Sequence, residues 1–238
     1  MAVRVSSRLR EVVWQANQDL VRAGLVTLSF GNASGCDREA GILVIKPSGV
    51  PYEAFRPDDL VAVSLADGRV VAGEARPSSD TPTHLALYRR YPELGGVVHT
   101  HSTAATAWAQ ARRSIPPLGT THADHFRGPV PVTRSMTETE VTGPYEAATG
   151  DLIVETIDRN GLGPTDMPAV LVASHGPFTW GPDAGTAVAN AIALEAVAEM
   201  AGRTLAINPD AGPIADFLLE RHFRRKHGSD AYYGQRTP

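Results

Sequence analysis

Apolar residues recur three and four positions apart near the start of the chain, which is the spacing of one helix face. The pattern is formed by Leu9, Val12, Val13, Ala16 and Leu20. Gly24 follows and marks the end of this predicted helix. Similar patterns predict further helices over 81–91, 137–160, 183–200 and 213–227, and Gly202 is expected to close the third of these. Thr81 and Asp183 are predicted N-caps, Thr137 and Glu140 have the spacing of a capping box, and Ser102 is a candidate cap for a helix after residue 100.

Short apolar runs bounded by turn residues predict strands over 42–46, 61–65, 69–73, 96–100, 128–132 and 169–174. Asp67-Gly68 is a typical hairpin turn, whereas the segment SFGNASGCD predicts a turn-rich loop. Hairpins therefore coexist with strand–helix units. We predict an α/β fold, a single domain over 1–238 with three α/β/α layers around a central mixed, mainly antiparallel sheet.

The composition narrows the class of protein. The 238 residues are 42% hydrophobic and 20% charged, which allows a substantial core and argues against disorder. A net charge of −4 gives no reason to expect a nucleic-acid partner. Cys36 is the one cysteine, no apolar run reaches the roughly 18 residues of a membrane span, and the N-terminal residues lack a signal-peptide pattern. We expect a cytoplasmic protein with no membrane partner.

Three histidines stand at the ends of valine-rich strands. His99 and His101 end GVVHTH, and His175 follows AVLVAS. Residues i and i+2 of a strand point to the same side, so the first two histidines can converge, and the third would complete a metal site with open positions. Imidazole suits zinc, though not exclusively. The alternative is that an H-x-H pair arises by chance in a chain with eight histidines.

Two loops offer the backbone N–H groups, hydroxyls and positive charge that a phosphate needs. One is Lys46-Pro47-Ser48-Gly49 after a strand, and the other is Ser78-Ser79 at a predicted helix N-terminus. Asn32 offers a further side-chain donor. Taken alone, each loop is better explained as an ordinary turn or cap.

The segment THADHFRGP contains a candidate acid/base group, Asp124, beside His122 and His125, which are either loop residues or further ligands. The C-terminal stretch RHFRRKHGSDAYYGQ contains a basic cluster and two tyrosines. From composition alone, a solvated helix face followed by a frayed end accounts for this stretch.

Taken together, these motifs resemble the L-ribulose-5-phosphate 4-epimerases of the class II aldolase/epimerase superfamily. The resemblance runs through GNASG, IKPSGV, SSDTPTHLALY, GGVVHTHS, GTTHADHFRG, ASHGPFTWG and KHGSDAYYGQ. It covers essentially the whole chain. Several long motifs in one order are far more specific than any one of them.

The resemblance implies a Zn²⁺ ion, or another divalent ion such as Mn²⁺, held by His99, His101 and His175 with Asp80 close by. It implies phosphate contacts from Asn32, Lys46, Ser48, Gly49, Ser78 and Ser79. It assigns acid/base roles to Asp124 and Tyr233, and further active-site positions to Thr120, Glu146 and His222. It also implies a homotetramer with active sites between subunits.

The activity implied is epimerisation at carbon 4 of L-ribulose 5-phosphate by retro-aldol and aldol steps. The nearest alternative is a class II sugar-phosphate aldolase that releases glycolaldehyde phosphate or a similar aldehyde. Related aldolases carry glutamate where this chain has Asp80, which favours the epimerase. Two other interpretations of the sequence remain. One is a non-catalytic module resembling the head of adducin, and the other is a metal-dependent decarboxylase or dehydratase.

Overall fold

Seven strands and eight α-helices form the part of the chain that the computed structural model describes, residues 5–161, 163–228 and 231–232. The strands are β1 (Asn32–Asp37), β2 (Ile42–Ile45), β3 (Val61–Ser64), β4 (Val70–Ala72), β5 (Gly96–His99), β6 (Ala169–Val172) and β7 (Gly176–Gly181). The helices are α1 (Ser7–Arg22), α2 (Thr81–Arg90), α3 (Thr103–Ala111), α4 (Thr120–Ala123), α5 (Glu138–Thr142), α6 (Tyr145–Asn160), α7 (Ala184–Ile207) and α8 (Asp216–His227).

The strands make one sheet in the order β4-β3-β2-β1-β5-β7-β6, and every neighbouring pair is antiparallel. Helices α2 and α6 pack on one face of the sheet, and α1, α3 and α7 pack on the other. The predicted three-layer α/β/α arrangement is therefore confirmed, with no parallel pair among these strands. Within the described ranges, no helix is long and apolar enough to cross a membrane.

The prediction of a turn-rich loop over SFGNASGCD is wrong, because Asn32–Asp37 forms β1 between β2 and β5. Small residues are needed here since α1 lies directly on the strand. A Cβ atom at Gly35 would be only 2.7 Å from Cγ2 of Val13. Asn17 of the same helix donates to the Ala33 carbonyl at 3.0 Å and accepts from its N–H at 2.9 Å. The small polar residues thus serve close packing.

One further strand prediction is wrong, and one strand was not predicted. The segment 128–132 makes only isolated bridges, because Pro129 and Pro131 have no N–H to continue a ladder. Strand β7 was not predicted because its segment GPFTWG contains glycines and a proline. This strand is buried along its whole length and pairs with both β5 and β6. The hairpin at Asp67-Gly68 is confirmed, with Gly68 at φ 77°.

Two helices differ in length from the prediction. The stretch 137–160 is divided into α5 and α6 at Gly143-Pro144, although its predicted capping box is present. Helix α7 begins at the predicted cap, Asp183, but continues through Gly202 to Ile207. Packing explains the extension, since Leu205 lies against the apolar cluster beyond that glycine.

The N-termini of α2 and α3 also depart from expectation. Asp80, one residue before the predicted Thr81, is the N-cap of α2. Ser102 stands at the N-cap of α3, but its hydroxyl makes no capping bond. Glu195 of α7 takes over this role, accepting from the N–H groups of Ala104 and Ala105 at 2.7 and 2.9 Å. This helix directly follows the H-x-H motif, so the cap fixes the chain next to the histidines.

Candidate active site

Three histidine side chains meet where β5 ends and the β6–β7 turn begins. His99 is the last residue of β5, His101 lies two positions further on, and His175 lies in the turn. One ligand nitrogen from each lies within 4.8 Å of the other two. Phe178 of β7 stacks on His99 with ring centroids 4.2 Å apart and planes at 16°. Adjacent antiparallel strands thus bring together residues that are far apart in sequence.

The turn that presents His175 is conformationally constrained. Ser174 has φ 62°, a left-handed conformation that costs a non-glycine residue roughly 1–3 kcal/mol. A Cβ atom at Gly176 would lie 2.8 Å from the Thr100 carbonyl oxygen and 3.5 Å from Cε1 of His99. Only glycine allows the turn to approach β5 this closely. Local strain and a glycine therefore set where His175 points.

The histidines fit a divalent cation. Nδ1 of His99 lies 2.9 Å from the carbonyl oxygen of Pro177, and a carbonyl only accepts, so the hydrogen of the neutral ring is on Nδ1. Its Nε2 therefore carries a lone pair, 3.1 Å from Nε2 of His101. Two nitrogens that share one zinc ion at about 2.0–2.1 Å lie about 3 Å apart. The donor set and its spacing suit zinc or a similar ion.

The electrostatic environment favours the uncharged form of His175 and His101. Burial lowers the pKa of His175 to about 4, with further lowering by His99 and His101 and partial compensation by Asp80. Burial, followed by the influence of His99, also lowers the pKa of His101. Neutral imidazoles have the lone pairs that a cation needs, so the site is prepared for binding near neutral pH.

Asp80 and Asn32 lie beside the histidines. Asn32 is paired with His99 across β1 and β5, and its Nδ2 donates to Asp80 Oδ2 at 2.6 Å and to Ser78 Oγ at 3.1 Å. Burial alone would raise the pKa of Asp80, but His99, His84 and the Asn32 bond lower it overall. Among the described residues, the metal-compatible group comprises the three histidines without Asp80. Asp80 nevertheless lines the same cleft as the histidines.

Lys46 supplies a buried positive charge. Its side chain is only 2% exposed, and Nζ lies 4.7 Å from the ring centroid of Tyr52 and 5.8 Å from that of Phe55. No carboxylate within the described ranges forms an ion pair with it. Burial lowers its pKa. A buried cation held by aromatic rings rather than by an acid is suited to an incoming anion.

The two predicted phosphate loops lie side by side. The Ser48 N–H donates to the Arg76 carbonyl at 2.9 Å, and the Ser78 N–H donates to the Lys46 carbonyl at 3.0 Å. Together with the histidines they line a cleft of about 340 Å³. The predicted residues lining the cleft are Asn32, Lys46, Ser48, Gly49, Ser78, Ser79, Asp80, His99, His101, Glu146 and His175.

Two other predicted site residues, Asp124 and His222, meet in a second cluster between α4 and α8. Asp124 accepts two bonds from Arg225, at 2.8 and 2.5 Å, and lies 3.1 Å from Nδ1 of His222. Burial opposes the lowering of the Asp124 pKa, but Arg225 and His222 prevail and lower it. Thr120 begins α4. Neither helix contributes a lining residue to the cleft, as far as the structure describes the chain.

Tyr233, His122 and His125 were the remaining candidates for acid/base or metal-binding roles. Tyr233 lies outside the described residues. His122 is buried, and its Nε2 donates to the Gly128 carbonyl at 2.7 Å. His125 lies 3.3 Å from Nζ of Lys226. Neither histidine belongs to the metal-compatible group found in the described ranges.

Tyr145, which no sequence motif marked, lines the cleft with its hydroxyl 3.3 Å from Nδ1 of His175. Burial raises its pKa. Its position directly before Glu146 and after Gly143-Pro144 was a usable signal, because that break places it at a helix start. Tyr52 was also missed, and no local pattern marks its contact with Lys46.

Comparison with known proteins gives a consistent result. The model of the class II aldolase and adducin N-terminal domain family matches residues 11–201. The L-ribulose-5-phosphate 4-epimerase UlaF of Salmonella paratyphi A is 57% identical over 229 residues, covering 96% of this chain and 99% of that protein. The protein of the same description from Salmonella typhi shows the same identity and coverage.

Solved structures share the fold. An L-fuculose 1-phosphate aldolase superposes with a TM-score of 0.74 at 23% identity, covering 94% of this chain and 99% of that one. YgbL of Klebsiella pneumoniae gives a TM-score of 0.70 at 25% identity, with 92% and 99% covered. The three-layer arrangement around an antiparallel sheet is thus common to proteins of low sequence identity.

Proposed function

The chain belongs to the class II aldolase and adducin N-terminal domain family, and on this basis we propose that it is an epimerase converting L-ribulose 5-phosphate into D-xylulose 5-phosphate. The observation that supports this most strongly is the combination of three convergent histidines and a buried lysine in one cleft. Two relatives that align with this chain over nearly their whole length at 57% identity are both described as L-ribulose-5-phosphate 4-epimerases.

The chemistry explains why such a cleft is needed. The hydrogen on carbon 4 is not acidic, because the carbonyl of the substrate is at carbon 2. Cleavage of the bond between carbons 3 and 4 avoids this difficulty. A base removes the proton of the carbon-4 hydroxyl, and glycolaldehyde phosphate separates from the carbon 1–3 fragment. The aldehyde then rotates, is attacked on its other face, and its oxygen is reprotonated.

The cleft residues form two groups, and each group binds one end of the substrate. Lys46, Ser78 and Ser79, with Asn32, Ser48 and Gly49, bind the phosphate and retain the aldehyde between the two steps. His99, His101 and His175, with Asp80 nearby, hold the cation, which we propose to be Zn²⁺ or Mn²⁺. When bound, it supplies Lewis-acid stabilisation of the charge left on the carbon 1–3 fragment. Glu146 faces the same space.

Two proton-handling groups are required, one for each face of the aldehyde. We assign them to Asp124 and Tyr233, with Thr120 and His222 as further active-site positions. Asp124 lies in the α4–α8 cluster, apart from the cleft of its own chain. A homotetramer in which one subunit's cluster faces its neighbour's cleft reconciles this separation with the assigned role. Sedimentation analysis that found a fully active monomer would contradict it.

The direct test is turnover of L-ribulose 5-phosphate with Zn²⁺ or Mn²⁺, with and without a chelator. We expect D-xylulose 5-phosphate to accumulate and chelation to stop the reaction. Release of free glycolaldehyde phosphate without D-xylulose 5-phosphate would identify an aldolase instead. The cytoplasmic location and the lack of nucleic-acid and membrane partners stay predictions from the sequence.

A further inference from the structure

Two cleft histidines have a defined partner at Nδ1. Nδ1 of His99 donates to the Pro177 carbonyl, as described above. Nδ1 of His175 lies 3.3 Å from the hydroxyl oxygen of Tyr145, whose ring is tilted by 37° against the imidazole. The first partner is a backbone atom, which no substitution removes cleanly. The second is a side-chain hydroxyl, which a single substitution can remove.

We propose that Tyr145 is a positioning residue for the metal centre: its hydroxyl accepts from Nδ1–H of His175 and leaves Nε2 of that ring for the cation. This inference rests on the proposed function, because it assumes that the three histidines hold a metal ion. Outer partners of this kind fix the tautomer and orientation of a histidine ligand and strengthen its basicity. Tyr145 acts through His175 and need not touch the substrate.

The hydroxyl can hold a ring only if its own helix is fixed. The break at Gly143-Pro144 starts α6 at Tyr145, so the tyrosine occupies the first turn. The hydroxyl of Thr83 on α2 donates to the Glu146 carbonyl at 2.6 Å. This bond ties the first turn of α6 to the helix whose N-cap is Asp80.

Close helix packing adds a second constraint. A Cβ atom at Gly150 would lie 2.6 Å from Cβ of Ala86 and 3.2 Å from Cα of Thr83. Helices α2 and α6 therefore touch through small residues one turn below Tyr145. Because both cleft-facing ends belong to one tightly packed pair, this packing fixes the start of α6 at Tyr145 relative to Asp80 at the N-terminus of α2.

The test compares Tyr145→Phe with the wild-type enzyme in equilibrium Zn²⁺ competition against a chromophoric chelator. This substitution deletes one oxygen and keeps the ring. We expect Zn²⁺ affinity to fall about 10–100-fold, the usual effect of losing an outer partner of a histidine ligand. At saturating Zn²⁺, most of the lost turnover should return. The visible spectrum of the Co²⁺-substituted enzyme should also change, since it reports the ligand field directly.

Tyr91→Phe is the matched control. It also removes one tyrosine hydroxyl between α2 and α6, in this case a donor to Asp158 at 3.0 Å, and Tyr91 does not line the cleft. Its Zn²⁺ affinity should equal that of the wild type. A Tyr145→Phe affinity within twofold of wild type, with an unchanged Co²⁺ spectrum, overturns the positioning role. A wild-type protein that binds no Zn²⁺ or Co²⁺ at all refutes the metal centre itself.

A third result is also decisive. If Tyr145→Phe binds Zn²⁺ normally but loses turnover at saturating metal, the hydroxyl acts on the substrate and the positioning role is wrong. Thermal unfolding of the metal-free variant should match that of the metal-free wild type. This comparison separates loss of metal affinity from a general loss of fold.

Discussion

His99 and Pro177 are joined by a 2.9 Å hydrogen bond from the imidazole Nδ1–H to the backbone carbonyl oxygen. Pro177 belongs to β7, the strand paired with β5, so the sheet itself fixes the tautomer of this histidine. The nitrogen left without a hydrogen, Nε2, is the one that faces His101. A ligand prepared in this way loses little freedom when a cation binds.

Removing one histidine should therefore abolish both metal binding and turnover. We expect His99→Ala to weaken Zn²⁺ binding more than about 100-fold, beyond the 10–100-fold typical of an outer partner. Metal content after dialysis and epimerase activity measure this. Since His99 is buried, His101→Ala provides a second variant at an exposed position, where no cavity is created. His227→Ala, on α8 outside the cleft, should retain its metal.

Lys46→Gln should raise the KM for the phosphorylated substrate by at least about tenfold while leaving metal content unchanged, because hydrogen bonds to charged groups are worth roughly 1.5–3 kcal/mol. Inhibition by inorganic phosphate should weaken in parallel. Arg22→Gln removes an equal charge at an exposed position outside the cleft and controls for net charge. An unchanged KM for Lys46→Gln would remove the lysine from the phosphate site.

The wild-type enzyme should also lose substrate affinity at alkaline pH through the same lysine. Burial lowers the pKa of Lys46 below its ordinary value, and only the protonated form attracts phosphate. The KM should therefore rise at a pH below that at which an exposed lysine titrates. A pH profile of KM measures this, and in Lys46→Gln the alkaline rise should be absent.

Asp124→Asn should reduce the free energy of unfolding by about 1–3 kcal/mol at pH 7, because it removes the charge from two bonds with Arg225. The pKa of Asp124 is lowered in the folded state, so its contribution is present above the unfolded pKa and lost as the pH falls through the folded value. The difference from wild type should narrow in acid. Urea unfolding at several pH values measures it.

Asp166→Asn provides the control for this pair. Asp166 binds Arg127 with side chains that are 35% and 39% exposed, so its loss should change stability by less than about 1 kcal/mol. Equal effects for Asp124→Asn and Asp166→Asn would show that the α4–α8 cluster has no special electrostatic role.

Local sequence patterns predicted those features of the structure that depend only on residues close together in the chain. The alternation of a strand places His99 and His101 on one side, and the capping box at Thr137 is present as expected. Contacts distant in sequence were not predictable in this way. The bonds between the loops at Ser48 and Ser78, and the cap that Glu195 gives to α3, join segments whose sequences carry no mutual signal.

The assignment of Asp124 shows the same division. A motif identified the residue, but only the fold shows that it lies with Arg225 in a cluster apart from the cleft. The role of Tyr233 and the extent of the domain over 1–238 stay predictions. Strand β1 was not predicted for a related reason. Its small residues are required by the helix packed on it, and their local composition resembles that of a loop.

The close packing of α1 on β1 predicts how one added methyl group changes the stability of the protein. In Gly35→Ala the new Cβ atom would lie 2.7 Å from Cγ2 of Val13, whose short, branched side chain is fully buried. We expect the free energy of unfolding to fall by about 1–3 kcal/mol, the usual effect of overpacking a core. In Gly41→Ala nothing lies within 4 Å of the new atom, so any loss there reflects only the φ of 66°. Urea denaturation of both variants separates crowding from backbone strain. If Gly35→Ala were as stable as wild type, α1 would not lie on β1 as closely as the structure places it.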